Sequence, residues 1–303
     1  MKILLTGATG FLGRAITKRL AADGHALVAL SRNPERAQAA LPLLTRAFAW
    51  RADGPPPAEA FAGVEAIVNL AGETVAGRWT APRMRAIRAS RVGGTRALIA
   101  RLGALSERPR VLISASATGY YGDRGEEMLA EDAAPGAGFL AEVSRDWEAE
   151  ATRAAEFGLR VARLRFGLVL GPGGGALGPM LPLHRAGLGG PLGSGRQWWP
   201  WVSLEDVVGF VAHALTTEVA GAVNVVAPEA VRQREFARAL GRALGRPAFL
   251  PAPGWAVRIG LGRFAAELLS SRRVTPRVAL ASGYAFRHAE LAAALRAALD
   301  EPR

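Results

Sequence analysis

Hydrophobic and polar positions along this chain fall into two alternating patterns. Short apolar runs, Lys2 to Thr6, Ala26 to Leu30, Ala66 to Leu70, Arg110 to Ser114 and Leu159 to Val169, read as buried strands, with Phe48 to Asp53 as a further strand, third in chain order. Between them the apolar positions recur at helical spacing. Phe11 to Ala22 places Leu12, Ala15, Ile16 and Leu20 on one face, and Gly24 is set to stop that helix. Further helices are predicted over Pro34 to Leu44, over Pro82 to Leu105 with a break near Gly93-Gly94, and over Phe139 to Phe157. Strands alternating with helices at this spacing predict an α/β fold: a doubly wound parallel sheet of Rossmann type with helices on both faces. After Gly171 the pattern changes. Gly173 to Gly195 is rich in Gly, Pro and Leu and reads as a mobile lid or substrate-domain segment. Glu205 to Leu215 returns as a helix and Ala222 to Val226 as a short strand. Arg232 to Leu244, Trp255 to Leu269 and Ala289 to Leu299 are helical. The expected division is a nucleotide-binding domain over 1–170, with 197–220 returning to it. A lid and a smaller, mainly helical C-terminal substrate domain take 171–196 and 221–303.

The first strand runs into Gly7, Gly10 and Gly13 at G-x-x-G-x-x-G spacing, directly before the first helix. In this context the first glycine permits a tight turn, the second lets a pyrophosphate approach the backbone, and the third lets helix and strand pack closely. Free N–H groups at the helix start then face a phosphate, so Thr9, Phe11 and Leu12 join the three glycines as dinucleotide contacts. An acidic residue about 20 positions on would hold a ribose 2′-hydroxyl. Here the second strand ends in Ser31 and Arg32, 19 residues past Gly13, with no acid before them. A guanidinium suits a 2′-phosphate through charge and a forked donor geometry, which favours NADP(H) over NAD. Asp53 is expected at the adenine edge. Leu70, Ala71 and Gly72, small or apolar residues at a strand's carboxyl end, let the cofactor lie against the backbone. Ser114, at the end of the fifth strand, is a further candidate contact.

Composition narrows the classes. The chain has 303 residues, half of them hydrophobic, and no Cys, so disulfides and cysteine metal sites are excluded. The net charge of +12 raises nucleic acid as a partner, but the basic residues are nearly all scattered arginines, with no basic block interleaved with aromatics. His25, His184, His213 and His288 lack paired ligand spacing, so no metal site is expected. No apolar stretch is long enough to span a bilayer. Met1 leads straight into the first strand without a signal peptide, and the expected setting is cytoplasmic. A small-molecule substrate is the expected partner, and a homodimer is compatible with the chain.

The stretches TGATGFLG, NLAGE, Arg78-Trp79, IRASR (Ile87 to Arg91), SASATGYYG (Ser114 to Gly122), the DWE at Asp146 to Glu148, LVLGPGGGALGPMLP and GLGGPLGSGRQWWPWVSLEDVV together resemble the short-chain dehydrogenase/reductase superfamily. Within its extended or atypical branch, the chain is similar to the epimerase family protein group of the YfcH type, including that group's C-terminal helical extension. The resemblance spans nearly the whole chain. It implies an NADP-binding Rossmann domain with a small substrate domain, and cofactor contacts at Thr9 to Leu12, Ser31, Arg32, Leu70, Ala71, Arg91 and the Val169 region. Arg91 would pair with a cofactor phosphate.

One departure bears on chemistry. Active members of the superfamily use Tyr-x-x-x-Lys with a Ser. This chain has lysine only at positions 2 and 18, and tyrosine only at 120, 121 and 284. Aligning Glu148 with the acid that follows the family's lysine puts Ser144 at the lysine position and Leu140 at the tyrosine position. Ser116 falls at the family's catalytic serine position, just past the fifth strand, and Tyr120 or Tyr121 follows it closely. Ser116 and Tyr120 are therefore the candidate catalytic pair. Two functions follow: an NADP(H)-dependent oxidoreductase or epimerase/dehydratase acting on a small substrate, anionic or a sugar nucleotide, with Arg78, Arg88 and Arg91 near the cleft; or a non-catalytic NADP(H)-binding sensor or scaffold. In the second, a partner would dock on the lid and on Trp198, Trp199 and Trp201.

Overall fold

The computed structural model describes residues 1–300. Seven strands form the central sheet: β1 (Lys2–Thr6), β2 (Ala26–Ser31), β3 (Arg46–Ala49), β4 (Ala66–Asn69), β5 (Val111–Ala117), β6 (Arg160–Phe166) and β7 (Gly221–Val225). All pairings are parallel, in the order β7-β6-β5-β4-β1-β2-β3. This is the expected doubly wound sheet, and it sets the carboxyl ends of β1, β2, β4, β5 and β6 along one edge. The helices are α1 (Phe11–Ala22), α2 (Pro34–Ala40), α3 (Ala81–Arg88), α4 (Gly94–Gly103), α5 (Phe139–Thr152), α6 (Leu177–Arg185), α7 (Leu204–Thr216) and α8 (Gln233–Leu244). Four short helices follow, α9 (Gly254–Leu261), α10 (Ala265–Leu269), α11 (Arg277–Ala281) and α12 (Leu291–Leu299).

Apolar side chains alternate to the two faces of the sheet, as a doubly covered parallel sheet requires. Ile3, Leu5, Ala29 and Ile113 pack on one face with Ile16 and Leu20 of α1 and Val207, Phe210 and Val211 of α7. Leu4, Val28, Ile67 and Leu112 pack on the other with Leu98, Ile99 and Leu102 of α4. A third core joins Leu177, Trp199, Trp201, Phe236, Leu240, Leu291 and Leu295. It joins α6, α8 and α12, whereas Ala279 of α11 belongs to the first core on the sheet. No helix among the described residues is long and apolar enough to cross a membrane.

Several boundaries differ from those the pattern predicts, each for a tertiary reason. α2 ends at Ala40, because Leu41 and Leu44 turn into the core and are nearly buried. β3 lies at Arg46–Ala49, where its register with β2 is satisfied, and the chain then turns at Trp50. The Trp50 indole N–H donates to the Gly54 carbonyl at 2.8 Å, closing that turn. Asp53 consequently sits exposed in the turn, beyond the strand that was to present it. β5 runs on to Ala117, paired along its length with β6, so Ser116 lies inside the strand. The run from Leu159 to Val169 breaks at Gly167, where a Cβ would stand 2.8 Å from the Pro200 carbonyl oxygen. The chain then leaves the sheet, and Leu168–Leu170 pairs with Trp201–Ser203. The Gly221–Val225 strand adds to the sheet beside β6, so the sheet reaches past residue 220. The expected lid contains α6, anchored by Leu177 in the third core. Trp199 and Trp201 belong to that core too, and only Trp198 is partly exposed. The tryptophans therefore do not form the docking face that a scaffold would need.

Gly13 is where α1 meets β1 most closely: a Cβ there would come 2.1 Å from the Gly7 carbonyl oxygen. Gly13→Ala is expected to lower stability by about 1–3 kcal/mol, the scale of overpacking a tight contact. Gly260→Ala in α9, where a Cβ meets nothing within 4 Å, is expected to gain roughly 0.5–1 kcal/mol. Urea unfolding of the two variants checks both signs.

Candidate functional site

The edge formed by the carboxyl ends of the strands begins with the glycine turn. Gly7 has φ +70°, the left-handed region that glycine tolerates, and a Cβ there would strike the Leu70 carbonyl carbon at 2.9 Å. The Gly7-to-Gly13 turn and the Leu70–Gly72 turn are thus backbone against backbone. Arg14 Nε donates to the Thr9 carbonyl at 2.9 Å and steadies the turn between them. α1 opens at Gly10 with no side chain capping it. Its first N–H groups have no intrahelical acceptor, and together with the helix dipole they form an anion site. Thr9 and Gly10 are exposed there; Phe11 and Leu12 are half-buried.

A buried polar network fixes the neighbouring turn. Thr6 Oγ1 donates to Asn69 Oδ1 at 2.7 Å and accepts the Leu70 and Ala71 N–H groups at 3.1 and 3.0 Å. Asn69 Nδ2 donates to Thr95 Oγ1 and Ser114 Oγ, and Trp147 Nε1 donates to the same threonine. Every polar atom of Asn69 is paired, which is what a residue 2% exposed requires. Ser114, expected as a cofactor contact, has its side chain inside this network and acts as support for the Leu70–Ala71 backbone. Arg91 leaves the π-helical turn between α3 and α4 and reaches the Glu73 carbonyl at 2.8 Å. Its guanidinium lies over the Trp147 ring, and a Cβ on Gly72 would touch it at 3.0 Å. Burial lowers the Arg91 pKa to about 10, partly offset by Glu73, so it stays a cation at neutral pH. Arg88 is instead taken up in an ion pair with Asp146, and Arg78 donates to the Ile259 carbonyl. Arg88 is therefore not a free cation for an anionic substrate, whereas Arg78 has no ion pair among the described residues.

At the end of β2, beside the glycine turn, the Ser31 hydroxyl folds onto the Asn33 backbone. Arg32 is exposed and takes no hydrogen bond or ion pair among the described residues. On the other side of the turn, Gly171, Gly174 and Gly175 close around the Phe11 ring, where each Cβ would come within 3.2 Å of a ring atom. Gly175 also lies against the Val169 carbonyl, which places Val169 beside Phe11. The mouth is spanned by the loop after β4. Trp79 is buried against Phe139 and Phe264 and bridges to Gly262, fastening this loop to α9 and α10.

The chemistry-bearing residues at the end of β5 are organised by one buried charge. Arg165 on β6 is 2% exposed and makes a two-pronged pair with Glu148 of α5 at 2.7 and 2.8 Å. Ser116, across the strand pair from Arg165, donates its hydroxyl to Glu148 Oε1 at 2.6 Å. Arg165 also donates to the Tyr121 hydroxyl at 2.8 Å and to the Glu131 carbonyl. Tyr121 is fully buried and donates on to Asn224 Oδ1 at 2.7 Å. Burial, opposed by Arg165, pushes its pKa up to about 12. Tyr284 is tied to Asp206 on the far side of α7. Tyr120 differs from both: it is half-buried, the Arg165 guanidinium lies 3.6 Å from its ring centre, and its hydroxyl takes no partner among the described residues. Leu140 and Ser144 of α5 pack against Gly119. That region therefore holds no amine. The described residues contain no cluster of three or more metal-ligating side chains.

Sequence reasoning missed Arg165, Glu131 and Asn224. The available signal was the charge at Arg163 and Arg165 within an otherwise apolar strand, which needs a buried partner to be tolerated.

A family model described as the NAD dependent epimerase/dehydratase family matches residues 3–226, and one for a domain of unknown function, DUF1731, matches 252–298. The Bos taurus "Epimerase family protein SDR39U1" is 39% identical, covering 98% of this chain and 99% of its own length. The Arabidopsis thaliana "Epimerase family protein SDR39U1 homolog, chloroplastic" is 37% identical, covering 99% of this chain and 87% of its own. Among solved structures, human epimerase family protein SDR39U1 (isoform2) with NADPH superposes with a TM-score of 0.87 at 35% identity, covering 98% of this chain and 99% of that one.

The Arg165–Glu148 pair is testable by stability. Glu148→Gln leaves a buried guanidinium underpaired and is expected to cost about 3–5 kcal/mol. The Glu148→Gln/Arg165→Met double variant is expected to cost less than the sum of the two single changes, measured as a double-mutant cycle in urea.

Proposed function

The chain belongs to the NAD dependent epimerase/dehydratase family, and from that footing we propose that it binds NADP(H) and reduces a small carbonyl substrate. The observation that carries the cofactor is the pairing of an uncapped α1 start with a free Arg32 at the end of β2. The first gives a pyrophosphate its N–H donors, and the second gives a 2′-phosphate a guanidinium without competition from an acid. Thr9 to Gly13, Ser31, Leu70 to Gly72, Arg91 and Val169 line the same edge. The human relative's structure with NADPH supports this choice. The cofactor supplies a hydride when bound.

The chain's own task is to hold the substrate oxygen and move a proton. Epimerisation begins by oxidising a hydroxyl, which needs a group able to take its proton. Tyr121 keeps its proton up to about pH 12, Ser116 has its hydroxyl engaged with Glu148, and no lysine is at hand. The four histidines are engaged elsewhere: His25 with the N-terminus, His184 with the Met180 carbonyl, His213 with Ser282 and His288 with Ser203. Reduction asks for a donor instead, and the unpaired Tyr120 hydroxyl is one. In this reading Tyr120 donates the proton, while Ser116 positions Glu148 and Arg165 behind it. The proposal keeps the cytoplasmic setting. A second reading, an NADP(H)-binding sensor without turnover, is favoured by the same tied-up Ser116 and by Leu140 and Ser144 at the family's Tyr and Lys positions.

NADPH absorbance followed against a panel of carbonyl compounds and sugar nucleotides separates the two. Consumption above a cofactor-only blank selects the reductase, and tight binding without turnover across the panel selects the sensor. On a productive substrate, Tyr120→Phe is expected to lower the rate roughly 10²- to 10⁴-fold, the usual contribution of a placed acid; an unchanged rate removes Tyr120 from the chemistry. For the cofactor, Arg32→Glu is expected to weaken NADP binding by about 2–3 kcal/mol in calorimetry without weakening NAD. Equal binding of NAD and NADP by the unaltered protein would overturn the assignment of Arg32.

A further inference from the structure

Six of the ten large apolar side chains that stand exposed among the described residues gather in one region. They are Leu183 and Leu188 at the end of α6, Phe249 and Leu250 in the run before α9, and Trp255 and Ile259 on α9 itself. The backbone brings these segments together. The Leu188 N–H donates to the Leu183 carbonyl at 2.9 Å, the Leu250 N–H to the Gly189 carbonyl at 3.2 Å, and the Ala252 N–H to the Pro191 carbonyl at 2.8 Å. α9 opens directly after this contact, at Gly254, where a Cβ would stand 3.9 Å from the Gly193 Cα. The helix is apolar on two sides. Val257 is buried and Leu261 half-buried on the inner side. Trp255 and Ile259, each two positions earlier and so on the opposite side, are 66% and 68% exposed. Folding explains the inner apolar side of such a helix; the outer one marks a contact with something else.

Charge selects what can cover this face. Arg185, Arg246, Arg258 and Arg263 are interspersed with the six apolar residues, are exposed, and take no ion pair among the described residues. No Asp or Glu lies from 157 to 204 or from 236 to 266. Elsewhere exposed arginines meet acids, as Arg19 meets Asp23, Arg145 meets Asp146 and Arg287 meets Glu205. A second copy docking about a twofold axis would set these arginines against their own images, with no acid to offset them. The apolar side chains also stand out instead of lining a hollow: the adjacent cavity at Gly193 and Gly254 is lined by none of the six. Protruding Trp, Phe and aliphatic groups among unpaired cations match the surface of an anionic bilayer. Its headgroup boundary takes rings and alkyl chains, and its phosphates take guanidiniums.

We propose that this face is a peripheral docking surface for an anionic lipid bilayer. Phe249, Trp255 and Ile259 enter the headgroup boundary, and Arg185, Arg246, Arg258 and Arg263 are held at its phosphates. The chain rests on the bilayer without crossing it. α9 falls in the stretch matched by the domain of unknown function, and the surface gives that stretch a task. It is independent of the cofactor reading, because none of its residues lies at the glycine turn or at the end of β5.

The test is co-sedimentation of the full chain with vesicles of phosphatidylcholine alone and with vesicles of equal parts phosphatidylcholine and phosphatidylglycerol. The chain is expected to partition onto the anionic vesicles and not onto the neutral ones, and to be released by high salt. Trp255 is the most exposed of the seven tryptophans, the others being buried or half-buried. Binding is therefore expected to shift tryptophan emission to the blue, and Trp255→Phe to abolish that shift. Trp255→Ser/Ile259→Ser is expected to weaken partition by about tenfold or more, and Arg185→Gln/Arg258→Gln by about tenfold. Both double variants change exposed side chains, so melting temperature and NADPH affinity should stay as they are. The proposal is overturned by absence of partition onto anionic vesicles, by equal partition onto neutral ones, or by undiminished partition in either double variant. A dimer in analytical ultracentrifugation that Trp255→Ser/Ile259→Ser dissolves would overturn it in favour of a second copy. Saturable binding of polyglutamate without vesicle binding would overturn it in favour of an acidic protein. NADPH affinity is read in the same samples, so failure of this surface is distinguishable from failure of the cofactor proposal.

Discussion

A guanidinium buried between two strands must be neutralised where it stands, and much of this molecule is arranged around that requirement. Arg165 projects from β6 and is almost wholly shielded from water. Glu148 meets it from α5, Ser116 from β5, Tyr121 from the turn after β5, and the Glu131 carbonyl from the loop beyond. Asn224 on β7 completes the chain of bonds through Tyr121. One charge therefore sets the height of α5 over the sheet and holds the segment from 118 to 131 against β7. The pair is not a gain over a hydrophobic core of the same volume. What it confers is position, because its forked geometry tolerates little displacement.

The same arrangement limits the chemistry available at the end of β5. On α5 an alkyl chain and a hydroxyl, Leu140 and Ser144, pack on Gly119, and no lysine lies beyond position 18. The cation nearest the remaining phenols is Arg165, already matched by Glu148. A guanidinium so paired can hold a ring in place by lying over its face, yet it has no proton to exchange. The site is thus better equipped to orient and donate than to withdraw a proton.

The cofactor edge and the C-terminal helices are coupled through two small structures. Phe11, in the first turn of α1, is enclosed by Gly171, Gly174 and Gly175, so the chain that leaves β6 begins its course toward α6 in contact with the glycine turn. Trp79, on the loop after β4, is held between Phe139 and Phe264 and bridges to Gly262. The mouth of the cleft is therefore bounded by segments from both parts of the molecule. Arg78 and Arg91 spend donors on backbone carbonyls that fix this rim, and Arg88 spends its charge on Asp146.

Local pattern alone determined the parts of this protein whose physics is local. The unbroken runs Lys2–Thr6 and Ala66–Asn69, the spacing of Gly7, Gly10 and Gly13, and the amphipathic stretch Phe11–Ala22 each need only neighbouring residues to be read, and the parallel sheet followed from their alternation. Tertiary structure decided where pairing or burial outbid that local signal. β5 extends through Ser116 because β6 offers partners as far as Phe166. α2 stops at Ala40 because Leu41 and Leu44 gain more from the core than from another helical turn. β3 slips toward its N-terminus, so that Asp53 is left in a turn, because register belongs to a pair of strands and not to one. Whether Ser116 is a free hydroxyl or a bonded one, and which of two adjacent tyrosines is buried, depended on Arg165, Glu148 and Asn224, distant in sequence and joined only when the sheet closes, since a buried charge selects its partners by distance in space.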